Sequence, residues 1–192
     1  MDYFLLNTAG DLNDESLCLI TDEPEGMGGG GYRMGRGRVA KDHYPTNAKI
    51  YLNDENPGIK LSGMIGNTCG FFIVNSDARK IIEKLCADSE IEYLPFALYN
   101  HKKRVHSNDY CFVNPIGGLD CLNEKASGIT YDEDDEVEDI EEFVLDSGKV
   151  KKFPHLFRID KERSEYVISG KLLAELTENA ITNVGGELLR VV

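Results

Sequence analysis

Tryptophan is absent from this chain of 192 residues, and so is any long apolar run. No stretch approaches the ~18–20 apolar residues that a membrane span requires, which excludes a membrane-embedded reading. The opening residues Met1-Asp2-Tyr3-Phe4-Leu5-Leu6-Asn7 carry no basic n-region and only a short apolar run, so no secretory signal is expected. Basic residues are scarce: 21 Lys and Arg stand against 34 Asp and Glu, for a formal net charge of -13. A binder of duplexes or anionic lipid brings a basic face that releases counterions, so direct nucleic-acid binding is not expected. The same sign favours a cationic partner, because long-range attraction speeds encounter; solubility alone also accounts for an acidic composition.

Catalytic and cofactor patterns are missing as well. There is no G-x-x-x-x-G-K-[ST], no G-x-S-x-G and no H-E-x-x-H. Gly26, Gly28 and Gly31 can be forced onto G-x-G-x-x-G, but Tyr32–Gly37 keeps the chain irregular where a helix would have to open. Five cysteines, Cys18, Cys69, Cys86, Cys111 and Cys121, form no CxxC, and an odd count suits free thiols in a reducing cytosol. Apolar neighbours, as in Leu17-Cys18-Leu19, place most of them in the core. His101 and His106 lie among Lys102, Lys103 and Arg104, whose charge opposes a metal cation. Cys111 and His106 would point to opposite faces of a strand, which disfavours a thiol–imidazole pair. No catalytic residue, cofactor or metal is expected.

What remains is an ordinary globular composition, 41% hydrophobic and 29% charged. Area scaling lets about 70% of the unfolded surface be buried, enough for a core without staples. Strands are expected at Tyr3–Asn7, Leu17–Thr21 and Ala48–Leu52. Between them, seven of the twelve residues from Gly26 to Gly37 are glycine, with Arg33, Arg36 and Arg38 interleaved, so residues 24–40 are expected to form a flexible loop. Phe71–Val74 reads as a buried strand, followed by a helix capped by Ser76 with Ala78, Ile81, Ile82 and Leu85 at helical spacing. Further strands are expected at Ile91–Tyr99, at Tyr110–Val113 paired with Gly118–Leu122, and at Glu142–Leu145, Val150–Phe153 and Leu156–Ile159. The chain closes with strand Tyr166–Ile168, a helix after Ser169 bearing Leu172, Leu173 and Leu176, and strand Leu188–Val192. Phe72–Ser76 and Tyr166–Ser169 echo one another, each a strand leading through a cap into an amphipathic helix.

These elements predict an α+β fold of mixed, mainly antiparallel sheets with two main amphipathic helices. Residues 1–70 are read as N-terminal strands and the Gly/Arg-rich loop, packed on a main domain at 71–192. Within that domain the composition shifts sharply at 131–142. Asp132, Glu133, Asp134, Asp135, Glu136, Glu138, Asp139, Glu141 and Glu142 supply nine acids in eleven residues. Mutual repulsion and little apolar content argue for an exposed, mobile segment. It lacks the glycine-centred spacing of a calcium loop.

From Phe71 to Val192 the chain resembles a bacterial immunity-protein family of polymorphic toxin systems, the eleventh in the numbered series of such families. Three stretches carry the likeness in order. The first is Phe72-Ile73-Val74-Asn75-Ser76 continuing to Leu85. The second is Tyr110-Cys111-Phe112-Val113-Asn114, then Leu119-Asp120-Cys121-Leu122-Asn123 and Ser127. The third is Leu156-Phe157-Arg158-Ile159 with Tyr166-Val167-Ile168-Ser169 and its helix. The resemblance implies a cytoplasmic bacterial protein that binds and neutralises a toxin encoded beside it, without catalysis. Asp120 and Ser127 match recurring positions of that family, with a turn or cap role the plainer reading. The acidic run is the candidate toxin contact, lying in a basic groove as a phosphate mimic. Two alternatives stay open: an enzyme that reverses the toxin's modification, and an acidic DNA mimic that inhibits a nuclease. A homo-oligomer ordered through the glycine-rich loop also stays open.

Overall fold

The computed structural model of the protein describes residues 1–150 and 153–192. Two four-stranded sheets carry it. The first runs in the order β11 (Leu156–Arg158), β12 (Tyr166–Ser169), β1 (Tyr3–Leu6), β13 (Gly186–Leu188) and is antiparallel throughout. The second runs β3 (Lys49–Tyr51), β6 (Ile91–Tyr99), β7 (Val105–Pro115), β5 (Phe72–Asn75), antiparallel except for the parallel β3–β6 pair. Among the described residues three small ladders complete the strands. β2 (Leu19–Ile20) pairs with β4 (Gly66–Asn67), β8 (Thr130–Tyr131) with β9 (Val137–Asp139), and β10 (Val144–Leu145) with β14 (Arg190–Val191). The helices are α1 (Gly30–Gly35), α2 (Ser76–Leu85) and α3 (Gly170–Glu178). The fold is α+β and mainly β, as the sequence patterns imply.

β5 and β12 are covered on both faces, which is why Phe72-Ile73-Val74 and Tyr166-Val167-Ile168 read as continuous apolar runs without polar alternation. Phe72 and Val74 of the second sheet turn inward with Cys111 and Val113. There they meet α2 through Ala78 and Ile82, α3 through Leu172 and Leu176, and the first sheet through Leu156 and Ile168. Ile73, Phe112, Leu94 and Leu98 turn outward onto the N-terminal segment, against Cys18, Ile20, Met27 and Met34. On the far side of the first sheet, Tyr3, Phe157 and Val167 are capped by Cys121, Leu122 and Leu145. The echoed strand–helix units thus face each other across one central core, α2 against α3. The first 70 residues contribute β1 to the interior of the first sheet, β3 to the edge of the second and the cover over its outer face.

The helix start at Ser169 is as read: its Oγ accepts a bond from the Leu172 amide at 3.2 Å. At α2 the cap is one residue earlier. Asn75 Oδ1 accepts from the Ala78 amide at 2.9 Å, so Ser76 is the first helical residue. Asn and Ser cap about equally well, and Asn75 is the one still extended at the end of β5.

Several expectations are corrected. The Gly/Arg-rich stretch is not an irregular loop, because α1 forms within it and Met27 and Met34 are buried. Three glycines in α1 cost about 3 kcal/mol relative to alanine, and burying two methionines offsets this at about 1.5–3 kcal/mol each. Gly37 follows in a left-handed conformation (φ 59°), where a Cβ would meet Gly117 O at 2.5 Å and Arg158 Cδ at 2.9 Å. No strand forms over 118–122; Leu119 and Leu122 make single bridges to Ile159 and Leu145, and β7 instead continues unbroken from Val105 to Pro115. The last strand is split at Leu189, which sits buried between β13 and β14. The strand expected over 150–153 falls on 151 and 152, outside the described residues. Pro95 is tolerated within β6 because β3 pairs only with Ala97, Leu98 and Tyr99, leaving Pro95 at an open edge.

Candidate functional site

The acidic run is an organised hairpin rather than a structureless loop. β8 and β9 pair in the register Thr130↔Asp139 and Tyr131↔Val137, and residues 132–136 form the turn between them. Asp132 Oδ1 accepts from the amides of Asp134 and Glu136, both at 2.9 Å, and Asp135 takes a left-handed φ of 59°. A side-chain oxygen thus supplies the turn's backbone partners, a habitual role of aspartate. All nine acidic residues are exposed. Among the described residues only Glu142 of the nine is ion-paired, with Arg190 Nη2 at 2.7 Å.

The hairpin is fastened at both ends. At β8, Lys161 Nζ donates to Tyr131 Oη at 2.7 Å, and Tyr131 Oη donates to Glu124 Oε1 at 3.1 Å. Lys161 also pairs with Glu124 Oε1 at 3.1 Å and lies 5.1 Å from the centre of the Tyr131 ring. These contacts push the Lys161 ammonium up to about 12 and hold the Glu124 carboxyl below its ordinary range. At the other end Arg190 does the same to Glu142, and β14 is itself tied to β10 in the register Val144↔Arg190. Sequence reasoning missed these anchors. Lys161 and Arg190 lie 30 and 48 residues from Tyr131 and Glu142, and no local spacing announces such pairs.

Asp120 and Ser127 do not join the hairpin's carboxylates. Asp120 accepts a bond from Lys149 Nζ at 2.8 Å on the surface. Ser127 is completely buried, its Oγ donating to Val144 O at 3.2 Å and accepting from Val144 N at 3.1 Å. One hydroxyl thereby satisfies both backbone groups of a β10 residue and locks the 123–127 turn beneath the hairpin. Ser127→Ala is expected to lower unfolding free energy by about 1–3 kcal/mol, since it takes the partner from the buried Val144 amide, while the Val144 carbonyl keeps its bond from the Asn123 amide at 2.9 Å. A urea midpoint shift at unchanged m-value checks this.

A cleft of about 510 Å³ opens between the C-terminal end of α2 and β11, with Cys86, Glu90, Pro115, His155 and Arg158 among its lining. His155 Nδ1 lies 2.8 Å from Ser169 Oγ, an arrangement that superficially suggests a nucleophile and its base. Ser169, however, has no exposed surface and spends its oxygen on the α3 cap. Burial, with Lys171 nearby, holds the His155 imidazole below its ordinary range. The unfolded chain therefore takes up this proton first, so stability falls as pH drops below about 6.5. His155→Asn is expected to flatten that fall below about pH 6.5, read from thermal midpoints across a pH series. Burial pushes the thiols of Cys18, Cys86 and Cys111 up to about 11 and that of Cys121 to about 12, which keeps them protonated at neutral pH. Among the described residues no group of three or more His, Cys, Asp or Glu side chains is placed to hold a metal ion.

Beside the cleft, Arg158 is only 1% exposed. It donates to Pro115 O at 3.2 Å, Arg163 O at 2.6 Å, Asn114 Oδ1 at 3.2 Å and Tyr166 Oη at 2.6 Å. Asn114 Nδ2 passes the contact on to Glu92 Oε2 at 3.0 Å, and Glu92 accepts the Ala40 amide at 2.9 Å. The chain Arg158–Asn114–Glu92 joins the first sheet, the second sheet and the N-terminal segment.

A match of the sequence, not of the site, gives the class of this chain, the immunity proteins. The family model described as Immunity protein family (Imm11) matches residues 8–186 of the 192, and the chain belongs to that family. The match begins well before Phe71, so the kinship takes in the N-terminal segment that the sequence motifs left aside. No curated protein matches the sequence. Families of this kind generally act by binding a toxin partner rather than by catalysis. Among the described residues no helix is long and apolar enough to cross a membrane.

Proposed function

We propose that the protein acts in the bacterial cytoplasm as a stoichiometric, non-catalytic inhibitor of a basic toxin encoded beside it, and that the acidic hairpin meets the toxin. The match of the Imm11 family over nearly the whole chain carries the neutralising role. Support for the contact surface comes from the hairpin. Eight carboxylates outside any ion pair among the described residues project from a segment fastened at Tyr131 and Glu142. Prior fastening lowers the ordering cost of association, and the dense negative charge attracts Lys and Arg of a groove that handles phosphates. The toxin alone binds nucleic acid or another anionic target in this reading; the immunity protein does not.

Calorimetric titration against the toxin domain encoded next to the chain tests the proposal. Saturable binding at about one equivalent is expected, weakening as salt is raised. Absence of binding at low salt would remove it. The hairpin also favours one second reading, a nucleic-acid mimic that inhibits a nuclease outside any toxin pairing. The identity of the neighbouring gene separates the two.

A further inference from the structure

The first sheet ends on an open edge. Among the described residues β13 pairs on one side only, with β1, in the register Phe4↔Leu188, Leu5↔Glu187 and Leu6↔Gly186. The Asn7 amide bonds Gly185 O at 3.0 Å, and the Leu189 amide bonds Tyr3 O at 2.9 Å. Hydrogen-bonded residues alternate along an antiparallel ladder, so Gly185, Glu187 and Leu189 turn their backbone groups toward β1. Gly186 and Leu188 turn theirs outward, and all three β13 residues are exposed. An outward row of this kind is a template for another strand.

Apolar surface adjoins that edge. Leu188 is 61% exposed and stands opposite Phe4 on the face that carries α3. Beyond Phe4 lies an open groove of about 560 Å³ walled by Met1, Phe4, Leu173, Ala174 and Thr177, with Asp2, Glu178 and Lys171 as its charged members. Gly186 lets the strand lie close, since a Cβ there would strike the Leu5 carbonyl oxygen.

Charge decides what the edge accepts. A second copy pairing antiparallel on Gly186–Leu188 about a two-fold axis would set Glu187 directly against its own counterpart, and like charges directly opposite destabilise a sheet. A foreign strand with Lys or Arg at that position gains from the same carboxylate. The edge also runs on through Leu189 into β14, whose Arg190 holds Glu142 at the foot of the acidic segment. A basic partner seated on the hairpin is therefore brought toward β13.

We infer that β13 receives an extended strand of the toxin, with a Lys or Arg facing Glu187 and an apolar side chain beside Leu188. This rests on the reading of the chain as a toxin-binding immunity protein and adds a contact of different chemistry, a backbone ladder. Leu188→Pro tests it, because that proline deletes only an outward amide hydrogen and leaves the β1 ladder intact. Glu187→Lys tests it without touching the backbone. With the neighbouring toxin domain as probe, each variant is expected to raise Kd at least tenfold at an unchanged melting midpoint. In the wild-type complex the Gly186 and Leu188 amides should exchange with solvent markedly more slowly than in the free protein. Wild-type binding with unchanged Kd for Glu187→Lys and unchanged exchange at those amides would overturn the inference and leave the toxin-binding reading standing. Failure of the wild type to bind would sink both. Should Leu188→Pro lower the melting midpoint, Glu187→Lys and the exchange rates decide alone. A wild-type dimer that Leu188→Pro dissociates would assign the edge to a second copy, against the inference.

Discussion

Arg158→Met is expected to lower the unfolding free energy by about 3–5 kcal/mol, the largest single-residue effect foreseen outside the apolar core. The guanidinium serves four oxygens, those of Pro115, Arg163, Asn114 and Tyr166, all within 3.2 Å. Methionine fills much of the volume but returns none of those bonds, so buried acceptors from both sheets lose their donor. The positive charge has no carboxylate ion-paired to it among the described residues. The Glu165 carboxylate acts on it through space, and Asn114 links it at one remove to Glu92. The Arg158 guanidinium also stacks on the Tyr166 ring, 3.9 Å from its centre, and burial draws its pKa down from the ordinary arginine value. Denaturant unfolding of Arg158→Met, Asn114→Ala and the double variant measures the coupling. Strongly sub-additive losses are expected, because either single change breaks the same chain. A loss below about 1 kcal/mol for Arg158→Met would show that the network contributes little.

The second large effect concerns association rather than folding. Changing Asp132, Glu133, Asp134, Asp135 and Glu136 to their amides removes five charges from the hairpin turn. Asn at 132 keeps the oxygen that accepts from the Asp134 and Glu136 amides, so the turn is expected to persist. Stability should change by no more than about 0.5 kcal/mol, as for other exposed substitutions. The association rate with the neighbouring toxin domain should fall about 10- to 100-fold at low ionic strength, and its salt dependence should flatten. Stopped-flow mixing across a salt series reads both. An unchanged rate and slope would take the hairpin out of the interface.

Particular residues show where the sequence was legible and where it was not. Phe72–Val74 and Tyr166–Ile168 announced themselves because strands covered on both faces cannot hide apolar runs. Ser169 was readable as a cap because its partner, Leu172, lies three residues on. The α2 cap is not legible to the residue, because Asn75 and Ser76 are chemically equivalent candidates and only the exit of β5 chooses between them. The Gly/Arg-rich stretch misled for an energetic reason. Its local preference is irregular, and the burial that overrides it comes from distant strands, through Met27 and Met34. In the acidic run, charge composition masked the pairing of Tyr131 with Val137, which rests on backbone bonds indifferent to side-chain sign. Asp120 and Ser127 could be found by resemblance, but the burial of Ser127 against Val144 lies in contacts that no spacing encodes. The same holds for Arg158, whose partners Asn114 and Pro115 are 44 and 43 residues away.

In the proposed function this protein silences its toxin by occupying it. The most direct measurement follows toxin activity in vitro while the purified chain is added in fractions of an equivalent. Activity is expected to fall linearly to zero at about one chain per toxin molecule, with no further change on prolonged incubation. Recovery that continues with time at a small fraction of an equivalent would mean that each chain acts repeatedly, and would contradict it.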